Sequence, residues 1–175
     1  MQGDPAPGST DTFTSFGGVV LNRLGDVAFT AEINGSQGIF ATRRGRLAAI
    51  ALLGDPAPGT AKTFELLGGP LLTGNGQVAF VASLTEVPGG FTDPGLFVGG
   101  PRPDVLNKVV APGDIVEVAP GDLREVSSVG FAAGSGNQDG RPSGFNDRGQ
   151  AGVQLLFADG SSGIFLARPK REKTS

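Results

Sequence analysis

The chain has 175 residues, a net charge of −3 and neither cysteine nor histidine, which excludes disulfides, thiolate metal sites, cysteine nucleophiles and the commonest general base. Phe is its only aromatic type, a poor basis for a sugar-stacking platform or a single-strand groove, and the near-neutral charge predicts no specific nucleic-acid partner. With 30 Gly and 13 Pro punctuating short apolar runs, the chain reads as many strands joined by turns, and no run is long or apolar enough to predict a membrane span.

Gly3-Asp4-Pro5-Ala6-Pro7-Gly8 opens the chain as turn sequence. Phe13–Leu21 follows as strand a of a first unit, and Asn22-Arg23-Leu24-Gly25 turns it into strand b. There Val27, Phe29, Ala31 and Ile33 share one face by the two-residue period, while Ala28 on the other would let a neighbouring sheet come close. Gly38-Ile39-Phe40 is the short strand c and Leu47–Leu53 is strand d; Ala48–Leu53 is too short for a helix and runs into Gly-Asp-Pro. The pattern then restarts. Gly54-Asp55-Pro56-Ala57-Pro58-Gly59 repeats the opening from residue 3 at residue 54, a shift of 51. Strand a is Phe64–Leu72, the turn is Thr73-Gly74-Asn75-Gly76, and strand b puts Val78, Phe80, Ala82 and Leu84 on one face with Ala79 behind. Gly95-Leu96-Phe97 and Val105–Val110 supply strands c and d. A worn third copy has Pro112-Gly113-Asp114, strand a at Val126–Ala133, the turn Asn146-Asp147-Arg148-Gly149, strand b with Ala151, Val153, Leu155 and Phe157 aligned, and Gly163-Ile164-Phe165 as strand c.

The expected organisation is three units, 1–53, 54–110 and 111–168, the last without a clear fourth strand, followed by a basic tail, 169–175. Four-stranded units at about this spacing predict an all-β fold of three antiparallel, propeller-like blades. The motifs Asn-x-x-Gly-x-Val-Ala-Phe, Gly-Ile-Phe and Gly-Asp-Pro-Ala-Pro-Gly resemble a family of bacterial tandem-repeat proteins of uncharacterised function, mostly secreted or surface-anchored. The resemblance spans nearly the whole chain and implies a propeller-like fold and an extracellular or cell-surface setting, although residues 1–8 carry no signal-peptide pattern. It brings no catalytic residues. Its weakest match is the third copy, where Gly152-Val153 replaces Ala-Phe.

Closed propellers have at least four blades as a rule, so three blades stay open or close with another chain. A homo-oligomer is therefore expected: a six-bladed ring from two chains, a sheet completed by a donated segment (Met1–Thr12), or head-to-tail stacking into a filament. The alternative is a fragment of a longer protein with a bare edge. Sorting loop charges by side predicts opposed faces. Asp4, Asp55 and Asp114, with Asp11, Glu117, Asp122 and Asp159, fall on one side against Lys62 alone; Arg43, Arg44, Arg46 and Arg102, with Arg23 and Arg148, fall on the other. These residues, with Phe165 at the open last sheet, are the candidate interface. Solvated turns, in which Asp is favoured for local hydrogen bonding, are the plainer reading.

No catalytic constellation emerges. The repeated Gly-Asp-Pro is better turn chemistry than an acid and base, and no Gly-rich segment leads into a helix to cradle phosphate. The long insertion Ser135–Gly144 is a candidate recognition loop, and Glu86–Pro94 a second. Asn137, Asp139, Asn146 and Asp147 could offer oxygens to calcium, the only cofactor the sequence suggests, though their spacing fits no EF-hand. The favoured reading is a non-catalytic structural or interaction module that self-associates. A ligand-binding propeller domain of a larger surface protein, for a glycan or an anionic polymer, is the alternative, and a hydrolase ranks third.

Overall fold

Alternating apolar residues between glycine turns give strands along the whole chain. The computed structural model describes residues 1–85, 94–100, 106–132 and 143–168, with thirteen strands and no helix among the described residues. Strands β1 (Phe13–Leu21), β2 (Val27–Ile33), β3 (Ser36–Arg43) and β4 (Arg46–Leu52) form the first antiparallel sheet in chain order. The second contains β5 (Thr63–Leu67), β6 (Leu71–Leu72), β7 (Val78–Thr85), β8 (Gly95–Gly99) and β9 (Leu106–Val110), with β5 and β6 both paired to β7. The third runs β10 (Ile115–Ala119), β11 (Asp122–Phe131), β12 (Ala151–Phe157) and β13 (Ser162–Ala167). An all-β fold of antiparallel sheets is thus what the alternation encodes.

Two expectations about strands need correction. Strand a of the second unit is not continuous: Gly68-Gly69-Pro70 splits it into β5 and β6. Pro70 has no N–H for the ladder, and Gly68 lies so close to β7 that a Cβ would sit 2.8 Å from Val81 Cγ2. The first unit meets the same spot with a bulge at Gly17-Gly18, between Phe16 and Val19. The second concerns the last sheet, whose fourth strand comes before strand a and not after strand c: no strand d follows β13 among the described residues. The sheet has four strands because β10, read as loop, pairs with β11.

Proline placement explains β10. The Gly-Asp turns make the same hydrogen bond in all three units: Gly3, Gly54 and Gly113 donate to Phe13, Phe64 and Val126 oxygens at 2.8 Å each. Beyond the turn, Pro5 and Pro56 make single bridges to Thr12 and Thr63, and Pro7 and Pro58 again lack donors. In the third unit Ile115 and Glu117 take those places, and the single bridge lengthens into a hairpin closed by Pro120-Gly121, with Gly121 at φ +80°.

The Gly-x-Phe motif is also steric. In β3 and β8 the ring two residues on covers the glycine: a Cβ at Gly38 would lie 2.8 Å from Phe40, and one at Gly95 would lie 2.8 Å from Ala111 and 3.3 Å from Phe97. Gly95→Ala is therefore expected to cost about 1–3 kcal/mol by overpacking, read as a lowered urea midpoint with an unchanged slope. The rings repeat faithfully. Phe29–Phe40 and Phe80–Phe97 both stack at 5.8 Å, while Phe13–Phe40 (4.9 Å) and Phe64–Phe97 (5.0 Å) meet edge to face.

We call the side of each sheet that carries the Val27-type residues its front. The front of sheet two, with Phe64, Phe80 and Phe97, packs on the back of sheet one, with Ala28, Ile39 and Ala41. The front of sheet three, with Val126, Val153 and Phe157, packs on the back of sheet two, with Leu71, Ala79 and Leu96. Ala28 and Ala79 are fully buried, the close approach their small size predicts. Among the described residues the front of sheet one meets only its own opening turn: Ala6 sits on Phe13, Ala31, Ile33 and Phe40. Residues Met1–Thr12 thus fill in unit one the place that Ala57 and its neighbours fill in unit two, so donating them elsewhere would uproot a buried residue.

Candidate functional site

The three Asn-x-x-Gly-type turns converge at one seam. Asn22 Oδ1 accepts from the Leu24 and Asp26 amides, both at 2.9 Å, closing its own turn. Asn146 Oδ1 does the same with Arg148 (2.9 Å) and Gln150 (3.1 Å), and Thr73 Oγ1 substitutes with Gln77 (2.9 Å). The turns are then tied together. Asn22 Nδ2 donates to Thr73 O at 3.0 Å, the Gly74 amide to Asp147 Oδ1 at 2.7 Å, and Asn75 Nδ2 to Asp147 O at 3.0 Å. Asp26 Oδ1 accepts from the Arg44 amide at 2.9 Å and so fixes the β3–β4 hairpin beside the first turn.

This framework leaves an open groove of 530 Å³ lined by Arg23, Leu24, Asp26, Arg43, Arg44, Gly74 and Asn75. The exposed guanidinium groups of Arg23, Arg43, Arg44 and Arg46 form no ion pair with any of the described residues. Loop-side sorting therefore brings Arg43 and Arg44 together with Arg23; Arg102 lies outside the described residues. Of the calcium candidates, Asn137 and Asp139 lie outside the described residues. Asn146 Oδ1 and Asp147 Oδ1 are engaged by backbone amides, and no group of three metal-ligating His, Cys, Asp or Glu side chains occurs among the described residues.

The acidic side behaves differently from its sequence reading. Asp55 Oδ2 accepts from the Leu52 amide (3.2 Å) and Asp114 Oδ2 from the Ala111 amide (2.9 Å), each within its own turn; Asp4 pairs with the Met1 amino group. The cations that sorting by loops overlooks come from strands. Lys108 of β9 pairs with Asp114 at 2.5 Å, and Arg124 of β11 pairs with Asp122 (2.7 Å) and Asp159 (3.4 Å). The two sides are thus less opposed than loop charges alone suggest.

The Arg124 hydrogen bond holds the Asp122 carboxyl below its ordinary value of 3.8, and bonds from Ser161 lower Asp159. A depressed folded-state value means that the stabilisation is present above the unfolded-state value and fades as pH falls through the folded one. Arg124→Gln should return the Asp122 titration toward 3.8, followed by NMR, and flatten the acid side of the stability profile.

The two ends of the stack form the other candidate surface. On the front of sheet one Phe16, Val19 and Leu21 are 49%, 66% and 57% exposed, whereas Leu67 and Leu72, which match Phe16 and Leu21 one repeat later, are 4% and 0%. On the back of sheet three Ile164 and Leu166 are 78% and 63% exposed, whereas their counterparts Leu96 and Val98 are 0% and 2%. Phe165, expected at an interface, points instead into the core shared with sheet two; its neighbours Ile164 and Leu166 are the outward pair. The signal for the end faces was in the repeat itself, since the first front and the last back have no neighbouring sheet among the described residues.

Stacked antiparallel sheets with apolar outer faces place the molecule among all-β proteins built in layers. The chain belongs to a family of unknown function, DUF7453, whose model matches residues 1–169. No curated protein and no solved structure matches it.

Proposed function

We propose that the chain is a non-catalytic structural or interaction module, three propeller-like blades that self-associate in an extracellular or cell-surface setting. The observation that carries this reading is the pair of apolar end faces. Phe16, Val19 and Leu21 at one end and Ile164 and Leu166 at the other are large, contiguous along their strands and left in water. A soluble repeat array caps its ends with polar residues or covers them with a neighbour. Here the ends keep the apolar character of interior positions.

Light scattering on the eluting protein, from micromolar to near-millimolar chain concentration, tests the proposal. Dimers or larger species that grow with concentration are expected; a monomer throughout would overturn it. A second reading is favoured by one feature, the Arg23–Arg43–Arg44 groove, whose guanidinium groups meet no carboxylate among the described residues and which suits an anionic polymer or acidic glycan. Binding of heparin that weakens steeply with salt and is lost on Arg43→Glu with Arg44→Glu would support that reading over self-association alone.

A further inference from the structure

Each internal junction in this molecule has the same form: the front of one sheet lies on the back of the sheet before it. The aromatic-rich front seats against a back lined by small and aliphatic residues. At the centre of each back is one small residue, Ala28 in sheet one and Ala79 in sheet two, both fully buried. Their counterpart on sheet three is Gly152, above which nothing lies within 4 Å of a Cβ position. The aliphatic positions beside it correspond as well: Ile39 and Leu96 are fully buried, and Ile164 is exposed. The first front and the last back are therefore the two halves of a junction that the chain builds twice and leaves open once.

We propose that the partner is a second copy of this chain, and that the back of its third sheet docks on the front of the first sheet. The proposal rests on the self-association reading and names the surfaces that meet. Phe16, Val19 and Leu21 lie on Gly152, Ile164 and Leu166 of the other copy, as Leu67, Pro70 and Leu72 lie within the interior. The contact is heterologous: unlike faces meet, and the joined pair keeps one free front and one free back. Like faces suit each other less. Two fronts would oppose aromatic ridges, and two backs would oppose the shallow strip around Gly152.

Two variants test it. Val19→Glu with Leu21→Glu blocks the front, and Ile164→Glu with Leu166→Glu blocks the back. All four positions are more than half exposed, so the variants should retain the wild-type far-UV spectrum and melting temperature. Each should weaken association on the order of a hundredfold, because a charge would be buried without a partner. Mixed in equal amounts, the two should form a 1:1 heterodimer and nothing larger, since the mixture contains one good front and one good back. Formation of that heterodimer also shows that both variants are folded where it matters. A wild type that stops at two chains, or one that climbs with concentration, satisfies the proposal equally: the first is a closed ring, the second an open series.

Failure has two distinguishable forms. If the wild type is monomeric at all concentrations, the self-association reading falls with this one. If the wild type assembles but a single blocked variant assembles as well by itself, or the folded mixture gives no heterodimer, self-association stands and the front-to-back junction is wrong.

Discussion

Phe80→Ala should lower the unfolding free energy by about 3–5 kcal/mol, while Phe29→Ala, the same change one repeat earlier, should cost only about 1–2 kcal/mol in dilute solution. The two rings have matching neighbours on their own sheets, stacking at 5.8 Å on Phe97 and Phe40. They differ in what lies above them. Phe80 is fully buried against sheet one, so its loss leaves a cavity between two sheets; Phe29 is half-buried on an open front, where water refills the space. Urea titration of both variants reads the difference directly. Equal losses at low concentration would mean that the front of sheet one is covered in the isolated chain.

Asn22→Ala should cost about 2–3 kcal/mol, and Asn146→Ala about 1 kcal/mol. Asn22 is buried, and its removal strands two amides of its own turn and the Thr73 carbonyl of the next. Asn146 makes the same two turn bonds at an exposed position, where water can replace them. Asn22→Asp keeps the acceptor for the Leu24 and Asp26 amides, but it loses the Nδ2 bonds to Thr73 O (3.0 Å) and Asp26 Oδ2 (3.5 Å) and sets a second buried carboxylate beside Asp26. Thermal melts should therefore place Asn146→Ala between wild type and Asn22→Ala. An Asn22→Ala protein as stable as wild type would remove the turn seam from any role in joining the units.

Period-two patterning made most of the fold legible. In β12 every other residue from Ala151 to Phe157 is buried, as the alternation requires, and Ala28 and Ala79 marked the close-packed backs. The errors came from competing local signals. Ile115-Val116-Glu117-Val118-Ala119 is a short run with a charge in its middle, and it was masked by its likeness to the proline-bearing turns before it. Pro120-Gly121 was the hairpin signal that could have disclosed it. Charge sorting overstated the contrast between the sides for a different reason: it counted loops, and Lys108 and Arg124 reach the acidic side from within strands. The end faces, by contrast, were present in the sequence as interior-type residues in terminal units. Exposure, though, depends on which neighbours exist, and no pattern within one strand reports that.

Bulges also govern whether such sheets can grow sideways. The outermost strands β1, β4, β5, β9 and β10 each pair with a slip in register, which twists the margin and spoils it as a template for a foreign strand. Strand β13 runs its six pairs with β12 without interruption. Amyloid-like recruitment, if heat or mutation loosens the molecule, would therefore begin along that straight border, and a lysine or proline introduced there would act as a gatekeeper.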